Sequence, residues 1–119
     1  MAAAAASGIW SGWAEEEPLA VLHYELPSGA SCERRIGNVQ GAPDEANEVI
    51  RDALTGLRLD TADILDGAAY SGAADNVLED DEIYQNAYNW ALFLRVQDAL
   101  EAHGLDTKWA SFEGQGICQ

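Results

Sequence analysis

The chain has 119 residues, of which 21 are Asp or Glu and six are Lys or Arg, and its formal net charge is -15 at pH 7. Hydrophobic residues make up 48% of the chain, which is too much for an acidic disordered protein, so we expect one folded domain. Direct binding to nucleic acid or to an anionic membrane surface needs clustered Lys and Arg, and a chain with a single Lys suits neither.

The first residues combine an alanine run with three consecutive glutamates at 15–17. This composition predicts a flexible acidic segment over 1–17, then a single globular domain over 18–113 and a loose tail over 114–119. The N-terminal segment lacks the basic start and the continuous apolar stretch of a secretory signal. No part of the sequence reaches the roughly 18 consecutive apolar residues of a membrane span.

The sequence contains two cysteines, Cys32 and Cys118. Two cysteines make neither a disulfide framework nor a zinc site. Free thiols are therefore the expected state, with a bridge between the two as the alternative. Since free thiols are typical of the cytoplasm, we expect a cytoplasmic protein.

Two β-prone segments, 18–26 and 31–36, flank the turn-forming residues Pro27, Ser28 and Gly29. The pattern predicts a β-hairpin. Both faces of the first strand are largely apolar, which is typical of a strand that is central or well covered.

After Pro43, apolar residues recur at intervals of three and four, and acids occupy the first turn. This spacing predicts a helix over about 44–56 with one apolar stripe. The following segment is harder to assign. Asp60 is suited to cap a short helical turn, and Gly67, Gly72 and several alanines then indicate a loop.

A second long helix is predicted over about 80–103, because acids precede it and Gly104 follows it. Its apolar residues, Leu94 among them, surround most of the cylinder. Such a helix is either the central core helix or lies partly in a homo-oligomer interface. Residues 108–112 are predicted to form a last strand. The element order indicates an α+β fold, in which two main helices cover a small antiparallel sheet made of the N-terminal hairpin and a C-terminal strand.

The sequence offers little for catalysis. His23 falls in a predicted strand and His103 at a helix end, and no nucleophile, phosphate-binding or metalloprotease motif occurs. We therefore expect a protein that is not an enzyme, with no catalytic residues and no cofactor. The acids do not have the register of an EF-hand loop, so we expect no dedicated metal site. A small acid-rich metal-binding domain is kept as an alternative.

The distribution of charge is the most informative feature. Between Leu59 and Leu94 there are eight acids and no Lys or Arg, which predicts a strongly negative surface. Solubility, or adaptation to high salt, is the alternative explanation. Two tryptophans beside the N-terminal glutamates are candidate interface anchors, unless they fold back over the sheet. The predicted partner-binding residues are Asp60, Asp63, Asp66, Asp75, Glu79, Asp80, Asp81, Glu82, Trp10 and Trp13.

Proteins that hold nucleic acid are the main class of basic partner, because their grooves carry Lys and Arg to meet phosphates. Acids three or four residues apart on a helix lie about 5–6 Å from each other, a spacing comparable to that of phosphates along a strand. In length, acidity and lack of catalytic motifs the chain resembles phage and mobile-element inhibitors, such as anti-CRISPR and anti-restriction DNA mimics. That resemblance of profile implies a non-enzymatic inhibitor, acting in the host-cell cytoplasm if a phage encodes it. An immunity or antitoxin-like protein that neutralises a basic toxin is the alternative.

Overall fold

Three antiparallel strands and three α-helices form the fold in the computed structural model, which describes residues 18–73, 75–112 and 116–119. The predicted α+β class is confirmed, with the helices on one side of the sheet. The strands are β1 (Ala20–Glu25), β2 (Ser31–Ile36) and β3 (Ile117–Cys118), in the order β1-β2-β3. The helices are α1 (Asp44–Leu54), α2 (Thr61–Ser71) and α3 (Asp81–Ala102).

The hairpin has one buried and one exposed face. Leu22 is paired with Arg34, and these two residues lie on the face that packs against the helices. Val21, His23 and Glu25 of β1 point to the other face and are exposed. The expectation that β1 is covered on both faces is therefore wrong: within the described residues β1 is an edge strand with an open outer face.

The C-terminal part of the chain differs from the prediction in two places. Residues 107–110 form a 3-10 helix, which Asp106 caps by accepting a hydrogen bond of 2.9 Å from the Lys108 backbone N–H, so there is no strand at 108–112. The C-terminal strand is β3 instead. Residues 116–119 thus do not form a loose tail, because β3 pairs with β2 and a Cβ atom at Gly116 would lie 2.0 Å from the Tyr24 hydroxyl.

Cys32 and Cys118 form a disulfide bond, so the expectation of free thiols is wrong. The two residues are directly opposite each other in β2 and β3. In the neighbouring cross-strand pair, the Gln119 N–H donates a hydrogen bond to the Ser31 carbonyl oxygen. Because hydrogen-bonded and non-hydrogen-bonded pairs alternate along antiparallel strands, the two cysteines form a non-hydrogen-bonded pair, in which the side chains are closer together. Pairing of two short strands, which sequence spacing did not indicate, is what brings the thiols together.

α2 was predicted only as a short turn, and it is a helix of 11 residues. Asp60 begins it as predicted, in a capping box with Asp63. Gly67, which was assigned to a loop, is buried in the middle of the helix, where α2 crosses α3. A glycine inside a helix lowers helix propensity, and here the missing side chain allows the two backbones to approach closely.

α1 and α3 lie close to their predicted positions. α1 buries the expected stripe, including Val49, Ile50 and Leu54. α3 contacts α1, α2 and the 3-10 helix, and it is the central helix of the described residues. Its fully buried side chains include Leu92, Val96 and Leu100, whereas Leu94 is only half-buried. None of the helices that the structure describes is both long and apolar enough to cross a membrane.

Candidate partner-binding surface

The predicted acidic residues fall into two groups in space. Asp60 and Asp63 lie at the start of α2 and Asp66 at its middle, and we call these three the α2 group. The other five lie in the α2–α3 connection and the first turn of α3. Trp10 and Trp13, the two aromatic members of the predicted surface, lie outside the described residues.

Two acids of the α2 group have structural roles. Asp60 Oδ1 accepts a hydrogen bond of 3.0 Å from the Asp63 backbone N–H, and Asp63 Oδ2 accepts one of 3.0 Å from the Asp60 N–H. Asp63 Oδ1 also forms an ion pair with Arg95 of α3. The Asp60 N–H, followed by Arg95, lowers the pKa of Asp63 below its usual value, because both stabilise the carboxylate.

Two acids of the second group also stabilise the fold. Asp80 is the N-cap of α3, and its Oδ1 accepts hydrogen bonds from the backbone N–H groups of Glu82 at 3.0 Å and Ile83 at 3.2 Å. Asp81 Oδ1 accepts a bond of 3.3 Å from the Ser28 N–H, which ties the start of α3 to the hairpin turn. An acidic residue at a helix start is favoured by the helix dipole, so these positions explain part of the acidity without any partner.

Four of the eight acids have no such role. The side chains of Asp66, Asp75, Glu79 and Glu82 are exposed and form no hydrogen bond or ion pair with the part of the chain that the structure describes. They remain available to groups outside the protein. Three of them, Asp75, Glu79 and Glu82, belong to the second group.

A cleft of about 830 Å³ opens between the hairpin turn and the segment before α3. We call it the acidic cleft; its lining residues are Pro27, Ser28, Asn76, Leu78, Glu79, Asp80 and Asp81. Leu78 is an exposed apolar side chain within it. This combination suits a Lys or Arg side chain, whose methylene groups can lie on the apolar surface while the charged end meets a carboxylate.

Arg95 changes the electrostatics expected from the sequence. The stretch between Leu59 and Leu94 contains no base, but Arg95 follows it directly and folds back onto Asp63. The other ion pairs among the described residues, Arg35–Glu33, Arg51–Glu48 and Lys108–Asp106, lie outside this stretch. The α2 group is therefore partly neutralised, whereas none of these ion pairs involves the acids around the acidic cleft.

Both histidines lie at exposed positions. His23 is exposed on the outer sheet face, and His103 Nδ1 lies 2.9 Å from the Ala99 carbonyl oxygen at the end of α3. Both cysteines are in the disulfide. Within the described ranges, no three or more His, Cys, Asp and Glu residues are grouped so that they could hold a metal ion. The lack of enzymatic activity stays a prediction.

The aromatic residues of α3 lie in two different surroundings. Tyr88 is buried and stacks on Tyr24 with ring centroids 4.1 Å apart, and burial raises its pKa above the usual tyrosine value. Trp90 is only half-buried, and its ring contacts Tyr70 of α2 and Phe93 instead. Tyr70 was not singled out from the sequence, because its segment was assigned to a loop.

Comparison of the chain with protein-family models, with curated proteins and with solved structures found no match in any of the three.

Proposed function

We propose that this protein is a non-enzymatic inhibitor that binds a basic, nucleic-acid-handling protein, in the manner of a phage-encoded anti-CRISPR or anti-restriction DNA mimic. The observation that carries the proposal is the acidic cleft, together with the exposed carboxylates of Asp75, Glu79 and Glu82, which have no partner within the described residues. Carboxylates that the fold does not use can meet Lys and Arg side chains that otherwise bind phosphates.

Electrostatics gives such an inhibitor speed and selectivity. A formal net charge of -15 attracts a basic groove over distances set by the ionic strength, and it raises the association rate. The same charge repels nucleic acid and disfavours association with a second copy of the chain. The proposed partner is therefore a basic protein, without direct binding to nucleic acid or to membranes.

The proposed site of action is the host-cell cytoplasm, where nucleic-acid-handling partners occur. The disulfide removes the argument that free thiols gave for this location, since such bonds are rare in the cytoplasm. For that reason, partner binding should be measured with both the oxidised and the reduced protein.

The experiment is partner capture followed by competition. Immobilised protein is incubated with a bacterial lysate, the bound proteins are identified by mass spectrometry, and the strongest is purified for kinetic measurement. We expect a nucleic-acid-binding protein, an association rate that falls steeply with added salt, and release by excess DNA or RNA.

A charge-reversal variant locates the surface. Changing Asp75, Glu79 and Glu82 together to Lys should slow association at low salt by about tenfold, because opposite charges steer association. Asp80 is left unchanged because it caps α3. The matched control reverses Glu25, Asp52 and Glu101, which are exposed and lie on other elements. Equal rates for both triple variants, or a partner that nucleic acid does not displace, would contradict the proposal.

A further inference from the structure

Three aromatic side chains form a patch on the outer side of α2 and α3. The ring centroid of Tyr70 lies 5.1 Å from that of Trp90 and 5.9 Å from that of Phe93, and those two are 5.4 Å apart in an edge-on arrangement. Tyr70 is 55% exposed, and the other two are half-buried. We call Tyr70, Trp90 and Phe93 the aromatic patch. Exposed aromatic clusters of this kind are typical of binding sites, because their ring faces contribute large contact areas.

Another cleft, of about 260 Å³ and separate from the acidic cleft, adjoins the aromatic patch. Asp66 lies four residues before Tyr70 on α2, and Leu94 lies four residues after Trp90 on α3; both line this cleft. Residues four apart on a helix are neighbours on its surface. The ring faces and the carboxylates therefore form one continuous surface, which we call the α2–α3 surface.

The charge of the α2–α3 surface is negative. Of its three carboxylates, Asp63 is paired with Arg95, whereas Asp66 and Asp98 are exposed and make no bond to the described part of the chain. A second copy of the same surface would bring these carboxylates together, in a chain that already has a net charge of -15. Charge complementarity therefore selects a cationic occupant over self-association.

We propose that the α2–α3 surface binds an arginine side chain of a basic protein segment, with the guanidinium stacked on Tyr70 and hydrogen-bonded to the Asp66 carboxylate. Arginine fits better than lysine, because its flat guanidinium can stack on a ring and donate to a carboxylate at the same time. The inference rests on the proposed function for the class of partner, a basic protein. It adds a second contact surface and a preferred side chain.

The test uses two defined probes. One is a fluorescently labelled arginine–glycine–serine repeat peptide, and the other is the same peptide with lysine at every arginine position. Dissociation constants are measured by fluorescence anisotropy at low salt. We expect the wild-type protein to bind the arginine peptide more tightly. Tyr70→Ala should weaken that binding roughly threefold to tenfold, the range of a partly exposed cation–π contact, and remove the preference for arginine.

Three further variants serve as comparisons. Tyr70→Phe keeps the ring and should bind like the wild type. Asp66→Asn should weaken both peptides roughly twofold to fivefold, as expected for an exposed ion pair. Asp52→Asn removes the same charge from α1 and should change neither constant by more than about twofold. Circular dichroism verifies that each variant is folded.

The inference is overturned if Tyr70→Ala binds the arginine peptide as tightly as the wild type, or if both peptides bind equally. Its failure is distinguishable from that of the proposed function. If the captured partner is lost on reversal of Asp75, Glu79 and Glu82 but is still bound by Tyr70→Ala, the proposed function is supported and the arginine site is contradicted. If the protein binds the arginine peptide selectively but captures no nucleic-acid-handling partner, the arginine site is supported and the proposed function is contradicted.

Discussion

A Cβ atom on Gly67 of α2 would lie 2.3 Å from the carbonyl oxygen of Ala87 in α3. It would also lie 2.8 Å from the Ala91 backbone nitrogen. Both are backbone atoms inside a long helix, so neither can move aside as a flexible side chain could. Position 67 therefore fixes the distance between α2 and α3, the two helices that carry the α2–α3 surface.

Gly67→Ala should lower the free energy of unfolding by about 1–3 kcal/mol, because the steric cost of overpacking exceeds the gain in helix propensity. Gly37→Ala is the matched control, since a Cβ atom there meets nothing within 4 Å. Urea unfolding followed by circular dichroism measures both. A Gly67→Ala protein as stable as the Gly37→Ala protein would show that α2 and α3 are farther apart than the structure has them.

The disulfide should contribute substantially to stability. Its cysteines are separated by 86 positions, and closing a long loop restricts the unfolded chain. Adding a phosphine reductant should lower the free energy of unfolding by about 2–5 kcal/mol. The double variant Cys32→Ala with Cys118→Ala should not respond to the reductant. Alkylation of both thiols in the folded, unreduced protein would show that the bond is absent.

Two leucines that are two residues apart on α3 should respond differently to truncation. Leu92 is fully buried, so Leu92→Ala should cost about 2–5 kcal/mol from lost burial and the cavity left behind. Leu94 is half-buried beside the α2–α3 surface, and Leu94→Ala should cost less than half as much. Denaturant titration of the two proteins decides the orientation of α3, because equal costs would mean that the helix is rotated.

Asp63 should make stability depend on pH in the acid range. Its pKa is lowered in the folded state, so its contribution is present above the unfolded-state pKa of about 4 and is lost as the pH falls through the folded value. The difference in unfolding temperature between the wild type and Asp63→Asn should therefore shrink below about pH 4. Asp52→Asn, which removes the same charge but no helix cap, is the control. A difference that stays constant from pH 7 to pH 2 would contradict this role.

Local patterns in the sequence predicted much of the fold. The predicted hairpin and helices near 44–56 and 80–103 agree with β1, β2, α1 and α3, because each carries its own turn, periodicity and end signals. α2 was underestimated because Gly67 and Gly72 indicated a loop, although the alanines between them favour a helix. The reason for Gly67 lies in α3, and a contact between distant segments is not visible in a local pattern.

The candidate surface was only partly predictable. The acids near the acidic cleft were identified from charge alone, and Asp60 was predicted as a helix cap. Sequence spacing did not reveal that Asp80 caps α3 or that Arg95 reaches Asp63. The aromatic patch was missed because Tyr70 and Trp90 are 20 positions apart and meet only when α2 packs on α3. Pairings of this kind depend on tertiary structure rather than on composition.

The Cys32–Cys118 bond joins β2 to β3 across a ring of polypeptide that contains α1, α2 and α3. A protease that cuts once between residues 33 and 117 therefore opens the ring without releasing a fragment. Such a nicked protein migrates as one species on a gel until it is reduced, and then separates into two. A single cut in the exposed connection before α3 would accordingly leave both candidate surfaces attached to one covalent molecule.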